Sequence, residues 1–282
     1  MQLHKYFNPI NKVFLIFLAF SAVCRADVAP ADYRQQLSDK VWEENLQPAN
    51  FPDRQIIEGA AQKILEIKAP YTAEDASVVP ISIHTNVSQQ PESYIRKIHV
   101  YVDKNPVPLV GIFEFTPNSG RADLALRIRV DDFSYVRAIA EMNNGDLYMV
   151  KSFVRAKGAC SAPPPPGMED SRKLLGTMKM NTIGDVVLGK PNLLQLMIRH
   201  PNITGMAPLK VGSRIIPPAH FVKSLEVEFN GQPVMKAQLT FSVSMDPAFR
   251  FYFVPDKAGT IFVKGVDTQE NHFSSSHEIK TS

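Results

Sequence analysis

Cysteine is almost missing from this chain, with two in 282 residues, and tryptophan occurs once. Two cysteines cannot make the framework of bridges on which small exported domains rely. Glycine is also sparse at 14 residues. No phosphate-cradling glycine loop, dinucleotide fingerprint, nucleophile elbow or Cys-x-x-Cys pair is present, so the common nucleotide, hydrolase and redox-pair mechanisms lack their parts. Excess charge is missing too. Three of the 31 basic residues, Lys5, Lys12 and Arg25, fall in the first 26 positions, which contain no acid; 28 basic residues then face 28 acidic ones. A neutral body offers no clustered Lys/Arg surface of the kind that releases phosphate counterions, which argues against nucleic acid as a partner.

Long apolar runs are likewise lacking. Val13 to Val23 is too short for a hydrocarbon core of roughly 30 Å. Preceded by Lys5 and Lys12 and followed by Cys24-Arg25-Ala26, it reads as a signal peptide over residues 1–26, cleaved after Ala26, with no membrane span afterwards and a periplasmic destination. A lipidated Cys24 is the alternative. Cleavage leaves Cys160 as the one remaining cysteine. An unpaired thiol in an oxidising compartment points to a reactive group or an intermolecular bond. Its surroundings, Lys157-Gly158-Ala159-Cys160-Ser161-Ala162 followed by four prolines, have no large apolar anchor. The segment is therefore expected to be exposed and mobile, with Arg155 and Lys157 lowering the thiol pKa. The competing reading is a buried cysteine acting as a small hydrophobe.

What is present is mostly strand-like. Residues 27–69 form the exception: Leu37, Val41, Trp42 and then Ile56, Ile57, Ala60, Ala61, Ile64 and Leu65 fall near helical spacing, interrupted by Pro48 and Pro52. Trp42 reads as a packing anchor. From residue 70 to 156 the period is two, as in Ile98 to Val102, Leu124 to Val130 and Leu147 to Met149, predicting about seven short strands of an antiparallel sandwich. Asn118-Ser119-Gly120 and Asn143-Asn144-Gly145 are hairpin signals, and Asn105-Pro106-Val107-Pro108 interrupts a strand pair. After an arm at 157–172 the pattern resumes over 173–282, with strands expected at 174–180, 193–198, 225–229, 239–243, 249–253 and 261–263 and turns at Asn230-Gly231 and Ala258-Gly259. Six of the seven histidines, His84, His99, His200, His220, His272 and His277, lie beyond the leader and lack convergent spacing with other ligands. No metal or cofactor is expected.

Several segments in fixed order resemble a known pair of proteins. YIRKIHVYVDKNPVPLVGIFEFTPNSGRADLALRIRV, VRAIAEMNNGDLY and KGAC resemble SoxY, the thiol-bearing half of the sulfur-oxidation carrier. LMIRHPNITGM, IIPPAHFVKSLEVEFNGQPV and FSVSMDPAFRFYFVPDKAGTIFVKGVDTQ resemble its companion, SoxZ. Fusion of the two in one exported chain is similar to the SoxYZ-like carriers associated with quinoprotein dehydrogenases. The resemblance implies an all-β chain of two immunoglobulin-like β-sandwiches in tandem after a short helical N-terminal segment. It implies that Cys160 holds a sulfur-containing intermediate covalently, on an arm of Lys157, Gly158, Ala159, Ser161 and Ala162, and presents it to periplasmic partner enzymes of a sulfur-oxidation or quinoprotein dehydrogenase system.

Gly158 and Ala159 stand where SoxY has two glycines before the cysteine, and Ser161 and Ala162 replace the glycines after it. In SoxY the arm is a free C-terminus; here it runs on through prolines, which extend about 3.1 Å per residue and stiffen it. Internal fusion favours a monomer, with a disulfide-linked dimer through Cys160 in air. A non-covalent accessory or chaperone-like module for an exported dehydrogenase is the second reading, and a cysteine-dependent enzyme the third.

Overall fold

The computed structural model describes residues 32–162, 167–209 and 212–280. The expected signal peptide, with Cys24, and the four prolines of the arm lie outside these residues. Among the described residues fifteen strands form two sheets. The first half supplies β1 (Ile56–Ile57), β2 (Leu65–Lys68), β3 (Val79–Thr85), β4 (Ile95–Val102), β5 (Leu109–Phe115), β6 (Leu124–Ile128), β7 (Ser134–Met142) and β8 (Leu147–Val154). The second supplies β9 (Met178–Ile183), β10 (Asn192–Ile198), β11 (Val222–Phe229), β12 (Gln232–Leu239), β13 (Ala248–Phe253), β14 (Gly259–Asp267) and β15 (His272–Ile279). Their burial alternates where the sequence does; β10, for instance, buries every second residue from Asn192 to Ile198. Two immunoglobulin-like sandwiches in tandem result, as expected.

The halves are not merely tethered. One nine-stranded sheet runs β1-β8-β7-β4-β5-β12-β11-β14-β15, and a six-stranded sheet runs β2-β3-β6-β13-β10-β9. Each sheet therefore crosses from one half to the other, through β5–β12 and through β6–β13. An edge strand left alone exposes unpaired N–H and C=O groups, and pairing two edges removes that liability. Gly111 marks how closely the strands approach, because a Cβ there would lie 2.8 Å from the Gln238 carbonyl oxygen. Between the layers Phe113 meets Phe249 and Phe229 meets Phe253, with ring centroids 6.1 and 5.6 Å apart.

Several local expectations change on folding. The helical segment is real only at its start: α1 (Tyr33–Val41), capped by the Asp32 side chain, continues through a π-helical turn (Trp42–Leu46) into α2 (Gln47–Asn50). Ile56 and Ile57 instead pair in parallel with Leu147 and Tyr148, and Leu65 begins β2, because backbone pairing outweighs a helical spacing of apolar residues. Trp42 is 1% exposed and packs with Phe51, Tyr101, Ile139, Leu147 and Met149, the anchor it was expected to be.

Asn118-Ser119-Gly120 does not close a hairpin. It carries the chain from β5 in one sheet to β6 in the other, with Gly120 at φ +68°. Asn143-Asn144-Gly145 and Asn230-Gly231 do close hairpins, β7–β8 and β11–β12. Between residues 70 and 156 there are six strands, β3 to β8. Residues 174–177 form the turn after a third helix, α3 (Met168–Lys173), and only 178–180 join β9, while the strand expected at 239–243 ends at Leu239. Among the described residues no helix is long and apolar enough to cross a membrane.

Candidate functional site

After β8 the chain turns inward. Arg155 is held to the loop before β3, its N–H donating to the Tyr71 carbonyl at 2.7 Å, and its guanidinium lies over Tyr71 and Phe133. Gly158, at φ +78°, donates its N–H to the Asp131 carbonyl at 2.7 Å. Two residues on, Cys160 N–H donates to Asp131 Oδ1 at 2.8 Å, and Thr204 Oγ1 donates to the Cys160 carbonyl at 2.7 Å. The arm is thus pinned on one side by the first half and on the other by the second. Ala159 and Cys160 are 5% and 1% exposed, whereas Lys157, Ser161 and Ala162 are exposed.

This corrects the expectation of an exposed thiol. The lack of apolar side chains leaves the arm without hydrophobic anchors, but three hydrogen bonds dock it instead. The pKa expectation reverses as well. Burial first, and then the Asp131 carboxylate beside the thiol, push Cys160 up to about 12, against a smaller downward pull from Arg129. Arg155 is occupied by aromatic rings and Lys157 acts on Asp132 instead. A protonated thiol is a poor nucleophile, so Cys160 is chemically quiet while docked.

Cys160 borders a cavity of about 30 Å³ with a mixed wall: Ser77 and Arg129 come from the first half, Asn202 and Thr204 from the second, and Met168, Ile203 and Leu209 add apolar surface. Arg129 is 4% exposed, and its Nη1 donates to the carbonyls of Phe241 and Val243, both at 2.6 Å. Asn202, fully buried, donates through Nδ2 to the Val243 and Ser244 carbonyls at 3.2 Å. The 241–244 turn therefore holds one cavity residue from each half.

Behind Asn202 stands a cluster that sequence spacing did not show. His200 and His220 both direct Nε2 at Asp267 Oδ2, at 3.3 and 2.7 Å. His200 Nδ1 accepts the N–H of Asn202 at 3.1 Å, so in the neutral ring the proton sits on Nε2 and is donated to Asp267. Burial pushes His200 down to about 4, outweighing the opposite pull of Asp267. Burial would raise Asp267, but hydrogen bonds from Asn271, His220 and Gln269 outweigh it and hold the carboxyl well below its usual range. Three ligand-type groups converge here. With His200 Nδ1 accepting from Asn202 and both Nε2 atoms facing Asp267, the cluster braces the loop carrying Asn202 and Thr204.

Of the other histidines, His84 and His99 contact Asp123 and Glu141, while His272 and His277 lie exposed or half-buried on β15. Arg129, Asp131, Asn202 and Thr204 were missed as site residues. Asn202 and Thr204 stand within the SoxZ-like segment, which is the one signal that marked them. Arg129 reads from its alternation as a solvated residue and Asp131 as loop chemistry.

The arm thus places Cys160 at the seam of two fused sandwiches, held by Asp131 from the first half and Thr204 from the second. Residues 49–160 match the family model for the sulfur oxidation protein SoxY and residues 181–278 that for the sulphur oxidation protein SoxZ. The chain is a fused SoxYZ-like sulfur-oxidation carrier protein, and Cys160 is the last residue of its SoxY portion. Among solved structures it is similar to the sulfur carrier protein SoxY from Chlorobium limicola f thiosulfatophilum, at 22% identity and TM-score 0.35, over 44% of this chain and all of that one. It is also similar to a superoxide reductase (neelaredoxin) from Ignicoccus hospitalis, at 15% identity and TM-score 0.32, over 36% of this chain and 93% of that one. No curated protein sequence matches the chain.

Proposed function

We propose that the chain is exported to the periplasm through its N-terminal leader, holds a sulfur-containing intermediate covalently on Cys160, and presents it to partner enzymes of a sulfur-oxidation or quinoprotein dehydrogenase system. It carries and does not itself turn over. The observation that supports this best is the docking of Cys160: the one cysteine of the SoxY-matched region borders a small cavity built from both halves, on an arm held by hydrogen bonds.

Three docking hydrogen bonds, at about 0.5–1.5 kcal/mol net each, hold the arm by only a few kcal/mol. The docked thiol is protected and quiet. An undocked one regains the reactivity of an ordinary cysteine and attacks an oxidised sulfur centre as in thiol–disulfide exchange. Opening is cheap enough to occur on demand when a partner binds the released arm.

Intact-mass measurement of the protein recovered from its native host tests this. An adduct on Cys160 that is absent from Cys160→Ser, on a chain beginning after Ala26, is the expected result; an adduct that survives the substitution refutes it. The burial of Cys160 favours a second reading, a non-covalent accessory module, which predicts that Cys160→Ser retains full host activity.

A further inference from the structure

The nine-stranded sheet ends in a bare edge. β15 runs eight residues, His272 to Ile279, in unbroken register with β14. The Asp267 N–H donates to the Asn271 carbonyl at 3.2 Å, which fixes the phase of that ladder: Phe273, Ser275, His277 and Ile279 bond β14. His272, Ser274, Ser276 and Glu278 therefore turn their N–H and C=O groups outward, and their side chains are exposed. Among the described residues no hydrogen bond reaches those outward backbone groups.

Such edges are normally blunted by shortness, lysine, proline or a bulge. The other edges of the two sheets are: β1 has two residues, β2 carries Lys68 and β9 carries Lys179, both exposed. β15 has none of these devices and holds three consecutive serines at its middle. Apolar surface lies beside it. A Cβ on Gly176 would come within 2.9 Å of the Phe273 Cβ, so the turn after α3 passes along the strand, and Leu174 and Leu175 in that turn are 49% and 36% exposed.

The strand is complementary to itself. An antiparallel partner must set outward-turned residues opposite one another. When a second copy of β15 is centred on Ser275, His272 faces Glu278 of that copy, Ser274 faces Ser276, and the same pairs recur beyond the centre. All four outward residues are then bonded, and each end sets an imidazole against a carboxylate. Sliding by two residues either way loses this match, bringing Glu278 opposite Glu270 or His272 opposite Lys280.

We propose that two copies of this chain associate through β15, antiparallel about a two-fold axis at Ser275, joining their nine-stranded sheets edge to edge. The contact is isologous. It needs no thiol, unlike a disulfide-linked dimer through Cys160, and it stands whether or not Cys160 carries a group.

Sedimentation equilibrium of the purified chain, kept reduced with dithiothreitol, tests this. A concentration-dependent dimer is expected. Ser276→Pro removes an outward N–H that no bond within the chain uses, so it should raise the dissociation constant by about tenfold or more while the melting temperature barely moves. His272→Glu sets two carboxylates together at each end and should weaken the dimer likewise; adding Glu278→Lys should restore it. Ser275→Cys on a Cys160→Ser background puts each thiol opposite its own copy at a Cα spacing of about 4.5 Å, inside the disulfide range of about 4.4–6.8 Å. Oxidised glutathione accepts the two electrons and two protons of the linked thiols and leaves as two reduced molecules. The linked dimer should form about tenfold faster or more than from His277→Cys on the same background, because residue 277 faces residue 273 and lies away from its own copy.

A monomer at every concentration up to about 1 mM overturns the proposal. So does a dimer that His272→Glu leaves intact, or one in which His277→Cys links as fast as Ser275→Cys. Should Ser276→Pro fail to fold, the charge variants and the two linking rates decide.

Discussion

Thr204→Val isolates one of the three bonds that dock the arm. The substitution preserves shape and removes the Oγ1 that donates to the Cys160 carbonyl at 2.7 Å and accepts from the Met206 N–H within its own loop at 3.2 Å. Loss of one such bond is worth about 0.5–1.5 kcal/mol, equivalent to roughly a 2- to 12-fold larger open population, since about 1.4 kcal/mol is a factor of ten. The docked thiol, pushed up to about 12, does not react near neutral pH, so modification proceeds through the open arm. Alkylation of Cys160 by excess iodoacetamide at pH 8, followed by intact mass, should accelerate by that factor while the melting temperature barely moves. An unchanged rate would mean that the arm does not swing as a hydrogen-bonded latch, and the docking account would be wrong. A rate equal to that of the unfolded chain in the unsubstituted protein would refute it equally, because the thiol would then be open already.

Other outcomes follow from the same geometry. Gly111→Val should destabilise the chain by about 1–3 kcal/mol in urea unfolding, because its Cβ would meet the Gln238 oxygen at 2.8 Å across the β5–β12 seam; Gly59→Ala, with nothing within 4 Å, should be near neutral. Trp42→Ala should cost about 3–5 kcal/mol, read as a lower urea midpoint, since its ring is buried among Phe51, Tyr101, Ile139, Leu147 and Met149. On the alkaline side, the folded Cys160 pKa of about 12 lies above its unfolded value, so its contribution is complete below about pH 9 and is lost as pH rises towards 12. Cys160→Ser should flatten that loss in stability curves between pH 9 and 11. On the acid side His200 has the opposite sign: its folded pKa of about 4 lies below the unfolded 6.5, so the unfolded state binds the proton first and stability falls from about pH 6.5 downwards. Unfolding midpoints for His200→Gln should vary less between pH 6.5 and 4.

The strands that could be read correctly are those whose burial follows the local period, such as β10 and β11. Misreadings arose where tertiary pairing set the outcome. Ile56 and Ile57 have helical spacing but find β8, and Asn118-Ser119-Gly120 has the composition of a hairpin turn but lies at a corner between sheets. β15 was not anticipated, since His272–Ile279 is an edge strand with largely exposed polar residues and carries little apolar alternation. The site was half legible. A single cysteine among small residues located it, yet small residues say nothing about whether hydrogen bonds will fold such a segment down.

From sequence alone come the period-two strands, the hairpins at Asn143-Asn144-Gly145 and Asn230-Gly231, the packing role of Trp42 and the singular position of Cys160, because each depends on residues adjacent in the chain. The tertiary structure alone decided that both sheets run through both halves, that the thiol is docked and protonated, and that Arg129 stands beside it. Those properties depend on partners far apart in sequence: Arg129 meets Phe241, 112 residues on, and Thr204 meets Cys160 across 44. Charge and burial at a point in space are sums over whatever the fold brings there, and no local period encodes that sum.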